Sequence, residues 1–182
     1  MFKLLAVFVV LYGINAQIIV PRKCPDLGVQ EDFVLDRFAG LWYEQEKYPV
    51  NWEENGSCIT HEYTKISDRE INVHIEQLYG TTGVIRIIEG SARLDGKIDE
   101  AKFTVNLPVG PVSPYWVLGV DYEDVAVVWS CVQLNETAAA ESAWILGREK
   151  QVDAAVLEKA YNIFDRENIS RAELVKTIQD NC

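Results

Sequence analysis

The sequence predicts an all-β fold, a sandwich or a barrel, followed by a helix near the C-terminus. Short segments of β character recur between residues 40 and 147, and turn signals separate them. In the clearest segment, Ile71–Tyr79, the apolar residues Ile71, Val73 and Ile75 alternate with polar ones. Short strands joined by turns favour an antiparallel sandwich or barrel over a parallel sheet, because parallel strands need long crossover connections.

Eight strands are predicted in this region. Each is an alternating segment or a short apolar run, and Thr81-Thr82-Gly83 is a turn signal between the third and the fourth. The chain is long enough for one domain with a core of its own. In chain order the predicted strands are Gly40–Tyr48, Ile59–Ile66, Ile71–Tyr79, Val84–Ala92, Lys102–Leu107, Tyr115–Val120, Val125–Cys131 and Ser142–Gly147.

After residue 150 the hydrophobic period changes from two residues to the helical value. This change predicts an amphipathic helix over Asp153–Phe164, which would pack on the outside of the strands. A second short helix over Ser170–Ile178 is a further possibility, with Ser170 as cap and Glu173 three residues later. The apolar residues at helical spacing are Val152, Val156, Leu157, Ala160 and Phe164.

The N-terminus resembles a secretory signal peptide. Lys3 precedes a short apolar run over residues 4–11, and the small residue Ala16 follows it, so cleavage is expected after Ala16. An uncleaved anchor is the alternative, but the run is shorter than the about 20 apolar residues of a membrane helix. The predicted division is therefore a signal peptide over residues 1–16 and one secreted domain over residues 17–182.

The cysteines and the glycosylation motifs fit an extracellular protein. Four cysteines, an even number in a secreted chain, predict two disulfides, with three possible pairings. Asn-x-Ser/Thr motifs make Asn55, Asn135 and Asn168 candidates for glycosylation.

The charge of the chain disfavours one class of partner. The sequence has 17 basic and 28 acidic residues, a formal net charge of −11. Such a chain repels phosphate backbones, so nucleic acid is not expected as a partner.

Three motifs in order point to a known family. Phe38–Glu44, which contains Gly40 and Trp42, is similar to the lipocalin Gly-x-Trp motif. Gly119–Glu123 is similar to the second lipocalin motif, with Val120 where threonine is usual. Trp144–Arg148 is similar to the third motif, which ends in arginine. The chain therefore resembles the lipocalins over roughly residues 24–182.

The resemblance is strongest to one branch of that family. Pro114–Leu118 and Trp129–Cys131 are similar to the corresponding segments of the apolipoprotein D, insect bilin-binding and Lazarillo proteins. This branch implies an eight-stranded antiparallel up-and-down β-barrel with the helix packed outside. It also implies the disulfides Cys24–Cys131 and Cys58–Cys182.

Four residues of the motifs are expected to have structural roles at the closed end of the barrel. The guanidinium of Arg148 would stack on Trp42, a cation–π contact worth about 0.5–2 kcal/mol. Gly40 would permit a tight turn into the first strand. Asp121 would accept hydrogen bonds from a neighbouring turn.

The interior of such a barrel is expected to bind a ligand. An eight-stranded barrel has room for one small molecule, and alternation indicates which side chains face it. The resemblance further supports Tyr63, Tyr115 and Trp144, although some of the inward residues would only fill a core. Arg86 could pair with a ligand carboxylate or reach solvent, and His61 is expected to be a hydrogen-bonded wall residue. The candidate ligand-binding residues are His61, Tyr63, Val73, Ile75, Gln77, Tyr79, Arg86, Ile88, Phe103, Val105, Tyr115, Val117, Ser142 and Trp144.

The expected function is extracellular binding and transport of a small hydrophobic ligand, such as a fatty acid, sterol, retinoid, pheromone or bilin. An enzyme is not expected, because the implied disulfides use all four cysteines and no catalytic constellation is recognisable. No metal and no cofactor are expected besides a bound lipid, retinoid or bilin. The alternative is an interaction or signalling protein, or a binder of membrane or lipoprotein surfaces, acting through the apolar loops Tyr48–Trp52 and Pro108–Pro114. Oligomeric state is left open.

Overall fold

The computed structural model describes residues 17–80 and 83–182 of the chain. The predicted signal peptide and the first two residues of the predicted turn at Thr81-Thr82-Gly83 lie outside the described residues. Within them, no helix combines the length and the hydropathy needed to cross a bilayer.

The described chain contains ten strands, eight of which are the predicted ones. The additional two are short and lie near the ends of the described chain. The strands are β1 Ile18–Val20, β2 Gly40–Lys47, β3 Gly56–Ser67, β4 Glu70–Tyr79, β5 Val84–Leu94, β6 Lys102–Asn106, β7 Ser113–Val120, β8 Val125–Asn135, β9 Ala138–Gly147 and β10 Val175–Lys176.

Strands β2 to β9 form a closed antiparallel barrel. Each pairs with the next along the chain, and β9 returns to pair with β2, with Lys47 opposite Trp144 and Tyr43 opposite Gly147. The first half of β9 pairs instead with β1. Closure gives every long strand two neighbours and so removes the exposed edges of an open sheet. The predicted eight-stranded up-and-down barrel is thus confirmed.

The predicted C-terminal helix is also confirmed, as α2 over Ala154–Arg166, after the one-turn helix α1 over Leu35–Phe38. The side chain of Asp153 caps α2 by accepting a hydrogen bond of 2.9 Å from the backbone N–H of Val156. Ala160 and Phe164 are fully buried against the outside of the barrel wall. The period of the apolar residues therefore identified the packed face correctly.

The second short helix, suggested over Ser170–Ile178, is wrong. This segment contains β10, which pairs antiparallel with Lys47 and Glu46 at the end of β2. The backbone N–H of Thr177 donates to the carbonyl of Gln45, and the adjoining chain end is tied to β3 by a disulfide. Pairing with β2 satisfies the backbone here, so tertiary structure overrides the local capping signal.

Two disulfides join the outer segments to the barrel. Cys24 is bonded to Cys131 and Cys58 to Cys182, the pairing that the family resemblance implies, and no cysteine is free. The bonded cysteines are 107 and 124 residues apart in sequence. Crosslinks over such long loops restrict the unfolded chain strongly and would each contribute about 4–5 kcal/mol in the entropic model.

One end of the barrel is closed by aromatic side chains and an arginine. Arg148 lies 3.7 Å from the centroid of the Trp42 ring and donates hydrogen bonds to several backbone carbonyls, among them that of Leu41. The carboxylate of Asp121 accepts hydrogen bonds of 2.8 Å from the backbone N–H groups of Asp124 and Val125. These contacts close this end and leave the opposite end of the barrel for access.

Candidate functional site

A cavity lies inside the barrel towards its open end, and the space between its lining atoms, including the solvent-open mouth, is about 640 Å³. Apolar side chains from β4, β6, β8 and the loop after β6 form most of its wall, and a few polar or aromatic groups project into it. A site of this composition suits a small hydrophobic molecule, because such ligands are bound by apolar walls with few placed polar groups. The lining includes Trp52, His61, Val73, Ile75, Val105, Leu107, Val109, Pro111, Ser113, Tyr115, Ser130, Val132, Ser142 and Trp144.

The structure brings half of the sequence-predicted ligand residues together on this wall. The predicted residues that line the cavity are His61, Val73, Ile75, Val105, Tyr115, Ser142 and Trp144. Their contact with a ligand remains a prediction.

Four other predicted residues point inward but are packed away from the cavity. Phe103 lies at the closed end, where its ring stands 6.4 Å from that of Phe38. Ile88 and Val117 are buried in the same interior core. Tyr63 is 1% exposed and lies behind Tyr115 rather than on the cavity surface. Alternation identified the inward face correctly but carries no information about depth in the barrel.

Three more predicted residues belong to the rim. Gln77 is buried, but its side chain donates a hydrogen bond of 2.9 Å to the backbone carbonyl of Trp52. Arg86 is exposed and donates to the same carbonyl across 3.2 Å. Tyr79 is 44% exposed because it ends β4 beyond the wall of the cavity. These residues shape the mouth, and Arg86 reaches solvent there.

Trp52 covers part of the mouth. It lies in a short 3-10 helix, Asn51–Glu53, and its ring centroid is 6.5 Å from that of Trp144. It also borders an outer depression, which Arg86 and Pro108 help to line. The cavity and this depression share Trp52, so this side chain stands between the ligand space and solvent.

Sequence reasoning missed several wall residues, of which Ser130 and Val132 of β8 are the clearest. This strand is apolar on both faces over Val125–Cys131, so alternation could not show which side faces inward. One signal was available. The implied disulfide directs Cys131 outward, which places both of its neighbours on the inner face.

A buried group of charged residues lies behind one side of the cavity. A β-bulge between Glu44 and Glu46 shifts the alternation of β2, so that Glu44 and Lys47 both point inward. The Nζ atom of Lys47 lies 3.0 Å from Oε1 of Glu44 and 2.7 Å from Oε2 of Glu53. The hydroxyl of Thr177 donates to Glu44 from the C-terminal segment. The wall thus contains an ion-paired layer tied to both the mouth and the C-terminus.

The charge states of this group follow from its surroundings. Burial by itself would raise the pKa of Glu44, but the hydrogen bond from His61 and the charge of Lys47 together lower it. Burial and the nearby charge of Glu44 raise the pKa of Glu53 well above its ordinary value. Burial would lower the pKa of Lys47, but the two carboxylates raise it. Glu44 and Lys47 are therefore the ionised pair, and Glu53 is the residue that takes up a proton most readily.

The same group offers donor atoms of the kinds that bind metal ions. Glu44, Glu53 and His61 each place one such atom within 4.8 Å of the others. The ammonium group of Lys47 is ion-paired with both carboxylates and supplies the positive charge that these groups require. The chain itself therefore already balances one of the two carboxylate charges of this donor set.

A chain of polar contacts connects this group to the cavity. Nε2 of His61 lies 3.3 Å from Oε2 of Glu44, and Nδ1 lies 3.5 Å from the hydroxyl of Tyr63. The hydroxyl oxygens of Tyr63 and Tyr115 are 2.5 Å apart. Burial raises the pKa of both tyrosines, so both hydroxyls stay protonated. Tyr115 is the end of this chain that lines the cavity.

A closed eight-stranded antiparallel barrel around an apolar cavity defines the class of small-ligand-binding barrels. Residues 33–179 match the lipocalin-like domain family. The chain belongs to this family, as the three sequence motifs indicate. Its relatives apolipoprotein D and insecticyanin are binding and transport proteins rather than enzymes.

The relatives agree with this assignment. The chain is 34% identical over 161 residues to apolipoprotein D of Oryctolagus cuniculus, covering 88% of this chain and 84% of the relative. It is 31% identical over 160 residues to the Lazarillo protein of Schistocerca americana, covering 86% and 74%. The structure of insecticyanin from Manduca sexta has the same fold, with a TM-score of 0.76, 24% identity and coverage of 88% of each chain.

Proposed function

We propose that this protein is an extracellular carrier of a small hydrophobic ligand, which it binds inside the barrel. The observation that carries the proposal is the cavity inside the barrel with its mainly apolar wall. Burial of apolar surface there would supply the binding free energy, at about 25 cal/mol per Å² less the cost of ordering the ligand. Fatty acids, sterols, retinoids, pheromones and bilins are the ligand classes to be tested.

Secretion is part of the proposal. The two disulfides support it, since such bonds persist in oxidising compartments. The side chains of Asn55, Asn135 and Asn168 are all exposed, so each glycosylation candidate is accessible. Expression in a eukaryotic cell tests this part: we expect the medium to contain a chain that begins at Gln17 and loses mass on deglycosylation. Retention in the cells would contradict it.

The ligand is best identified on protein from its natural source, purified without organic solvent. Native mass spectrometry with an absorption spectrum would show a bound molecule and whether it is coloured. We expect a mass increment of one small molecule per chain. If no increment is found and no member of a hydrophobic panel binds, the carrier function is wrong.

A second candidate function is binding to a lipid surface through the rim. One observation favours it: Val84, Ile85 and Ile87 of β5 are each more than half exposed, as is Val112 in the loop before β7. Of the two apolar loops predicted to contact such a surface, Tyr48–Trp52 is a poor candidate, because Tyr48 and Val50 are buried. Sedimentation with phosphatidylcholine vesicles tests the surface role. Loss of sedimentation in Ile85→Glu with ligand affinity intact would support it, and no sedimentation of the wild type would exclude it.

A further inference from the structure

The described cavity wall offers a ligand no lysine or arginine side chain. The buried ammonium of Lys47 is held between Glu44 and Glu53, and Arg86 lies outside at the rim. A ligand carboxylate that entered the cavity would lose its hydration without gaining a counter-ion, which is costly. An uncharged polar group avoids this cost.

The direction of the hydrogen bonds in this chain of polar contacts follows from the ionised carboxylate at the end that lies away from the cavity. An ionised carboxylate can only accept, so Nε2 of His61 carries the hydrogen in the contact with Glu44. With the imidazole in its neutral form, Nδ1 is then an acceptor, and the hydroxyl of Tyr63 is the donor within reach. Because Tyr63 has one hydrogen, it must accept in its contact with Tyr115. The Tyr115 hydrogen is therefore directed away from the cavity.

The opposite direction leaves a buried atom without a partner. If Tyr63 donated to Tyr115, Nδ1 of a neutral His61 ring would have no donor among the described residues. An unsatisfied buried polar atom costs about 1–3 kcal/mol. The arrangement that satisfies every member of the chain is thus the one in which Tyr115 presents only oxygen lone pairs to the cavity.

We propose that this cavity selects an uncharged hydrophobic ligand bearing a hydrogen-bond donor, a hydroxyl or N–H group, and that Tyr115 accepts its hydrogen bond. The inference rests on the carrier function proposed above and narrows its ligand class. The serine hydroxyls of the wall, those of Ser113, Ser130 and Ser142, can donate or accept and so do not discriminate.

The indole N–H of Trp144 is the other polar group of the cavity that could determine which ligand is preferred. This N–H can only donate, it lines the cavity, and it has no hydrogen-bond partner of normal geometry. It lies close enough to the Glu53 carboxyl to lower the pKa of that group, which opposes the effect of burial. If Trp144 governed selection instead of Tyr115, a carbonyl ligand would be preferred to an alcohol.

Ligands that share a skeleton and differ in one group separate these cases. The probes are retinol, retinal and retinoic acid, together with cholesterol, cholestenone and cholesterol sulfate, titrated at pH 7.5 with tryptophan fluorescence as the signal. In the series that binds, we expect the alcohol to bind about three- to tenfold more tightly than the carbonyl compound, the range of one hydrogen bond. We expect the anion to bind the least tightly. Equal affinities, or a preference for the carbonyl compound or the anion, would overturn this inference but leave the carrier function in place. Absence of binding in both series, together with no bound molecule in native mass spectrometry and no binding from the rest of the hydrophobic panel, would overturn the carrier function itself.

Two tyrosine variants test the direction of the hydrogen bonds. Tyr115→Phe removes the acceptor, so the advantage of the alcohol should disappear. Tyr63→Phe frees the hydrogen of Tyr115 to point into the cavity, so the preference should shift to the carbonyl compound. The control is Tyr43→Phe, at a half-buried position on the outer face of β2, which should leave the preference unchanged. Thermal unfolding of each variant establishes that it is folded. Identical ligand preferences in Tyr63→Phe and Tyr115→Phe would contradict the proposed direction.

Discussion

The ammonium nitrogen of Lys47 lies 2.7 Å from a carboxylate oxygen of Glu53, and this ion pair joins the barrel wall to the segment that covers the mouth. Lys47 belongs to β2, whereas Glu53 ends the 3-10 helix that carries Trp52. Both side chains are buried, so water screens the interaction little. The position of the mouth segment is therefore coupled to the charges inside the wall.

Removal of Lys47 should be strongly destabilising. Lys47→Met leaves Glu44 and Glu53 close together in the interior without a positive charge. Loss of one partner of a buried ion pair costs about 3–5 kcal/mol. We expect a loss of about this size in the free energy of unfolding, measured with urea. The double variant Lys47→Met/Glu53→Gln should recover part of it, and a loss below about 1 kcal/mol in the single variant would contradict the coupling.

The carboxyl group of Glu53 predicts a pH dependence of stability. Its pKa is raised on folding, chiefly by burial and then by Glu44. The folded protein therefore binds this proton more tightly than the unfolded chain, and stability falls as the pH rises from the ordinary carboxyl value through the raised pKa. Glu53→Gln removes this effect, so the variant should gain stability relative to the wild type as the pH rises from about 4.5 to 8.

The exposed neighbour Glu54 provides the control for this experiment. Urea unfolding of Glu54→Gln should follow the wild type across the same pH range. A difference between Glu53→Gln and the wild type that stays constant with pH would show that burial does not perturb the Glu53 carboxyl.

At the closed end, the arginine should not be replaceable by lysine. Arg148 stacks on Trp42 and donates to backbone carbonyls with several nitrogens at once, which one ammonium group cannot reproduce. We expect Arg148→Lys to lower the free energy of unfolding by about 2 kcal/mol. Arg93→Lys, on the exposed side of β5, should change it little. Equal effects of the two substitutions would mean that the stacked geometry contributes nothing specific.

The Cys58–Cys182 disulfide should hold the C-terminal strand in place. It closes a loop across 124 residues and lies close to β10 and to Gln179, which donates to the carbonyls of Glu44 and Ile59. Cys58→Ser/Cys182→Ser should cost about 4–5 kcal/mol in the entropic model and increase amide exchange over residues 175–179. Unchanged exchange in that segment would show that its hydrogen bonds alone suffice.

The fold could be predicted because the barrel strands separate a buried face from a solvated one. In β4, Ile71, Val73 and Ile75 are buried and the residues between them are less so, which is the alternation visible in the sequence. The suggested helix over Ser170–Ile178 failed because its backbone partners lie on β2, which is distant in sequence. Local signals cannot show such a contact.

The cavity was predictable only in part. Alternation correctly turned Phe103 inward, but its place at the closed end depends on how the strands tilt and stagger. The inward side chains in the second half of β2 could not be predicted, because the bulge reverses the alternation between Glu44 and Lys47. The charged layer behind the wall could therefore be found only from the three-dimensional structure.

The central claim is that a hydrophobic ligand occupies the cavity, and filling that cavity tests it most directly. Ser142 lines the cavity and is 2% exposed, so Ser142→Phe places a ring in the ligand space. Ser67→Phe adds the same ring at an exposed position at the end of β3. Calorimetric titration with the tightest ligand of the panel should show at least a tenfold loss of affinity in Ser142→Phe and unchanged affinity in Ser67→Phe. Unchanged affinity in a folded Ser142→Phe would contradict the account and place the ligand outside the barrel.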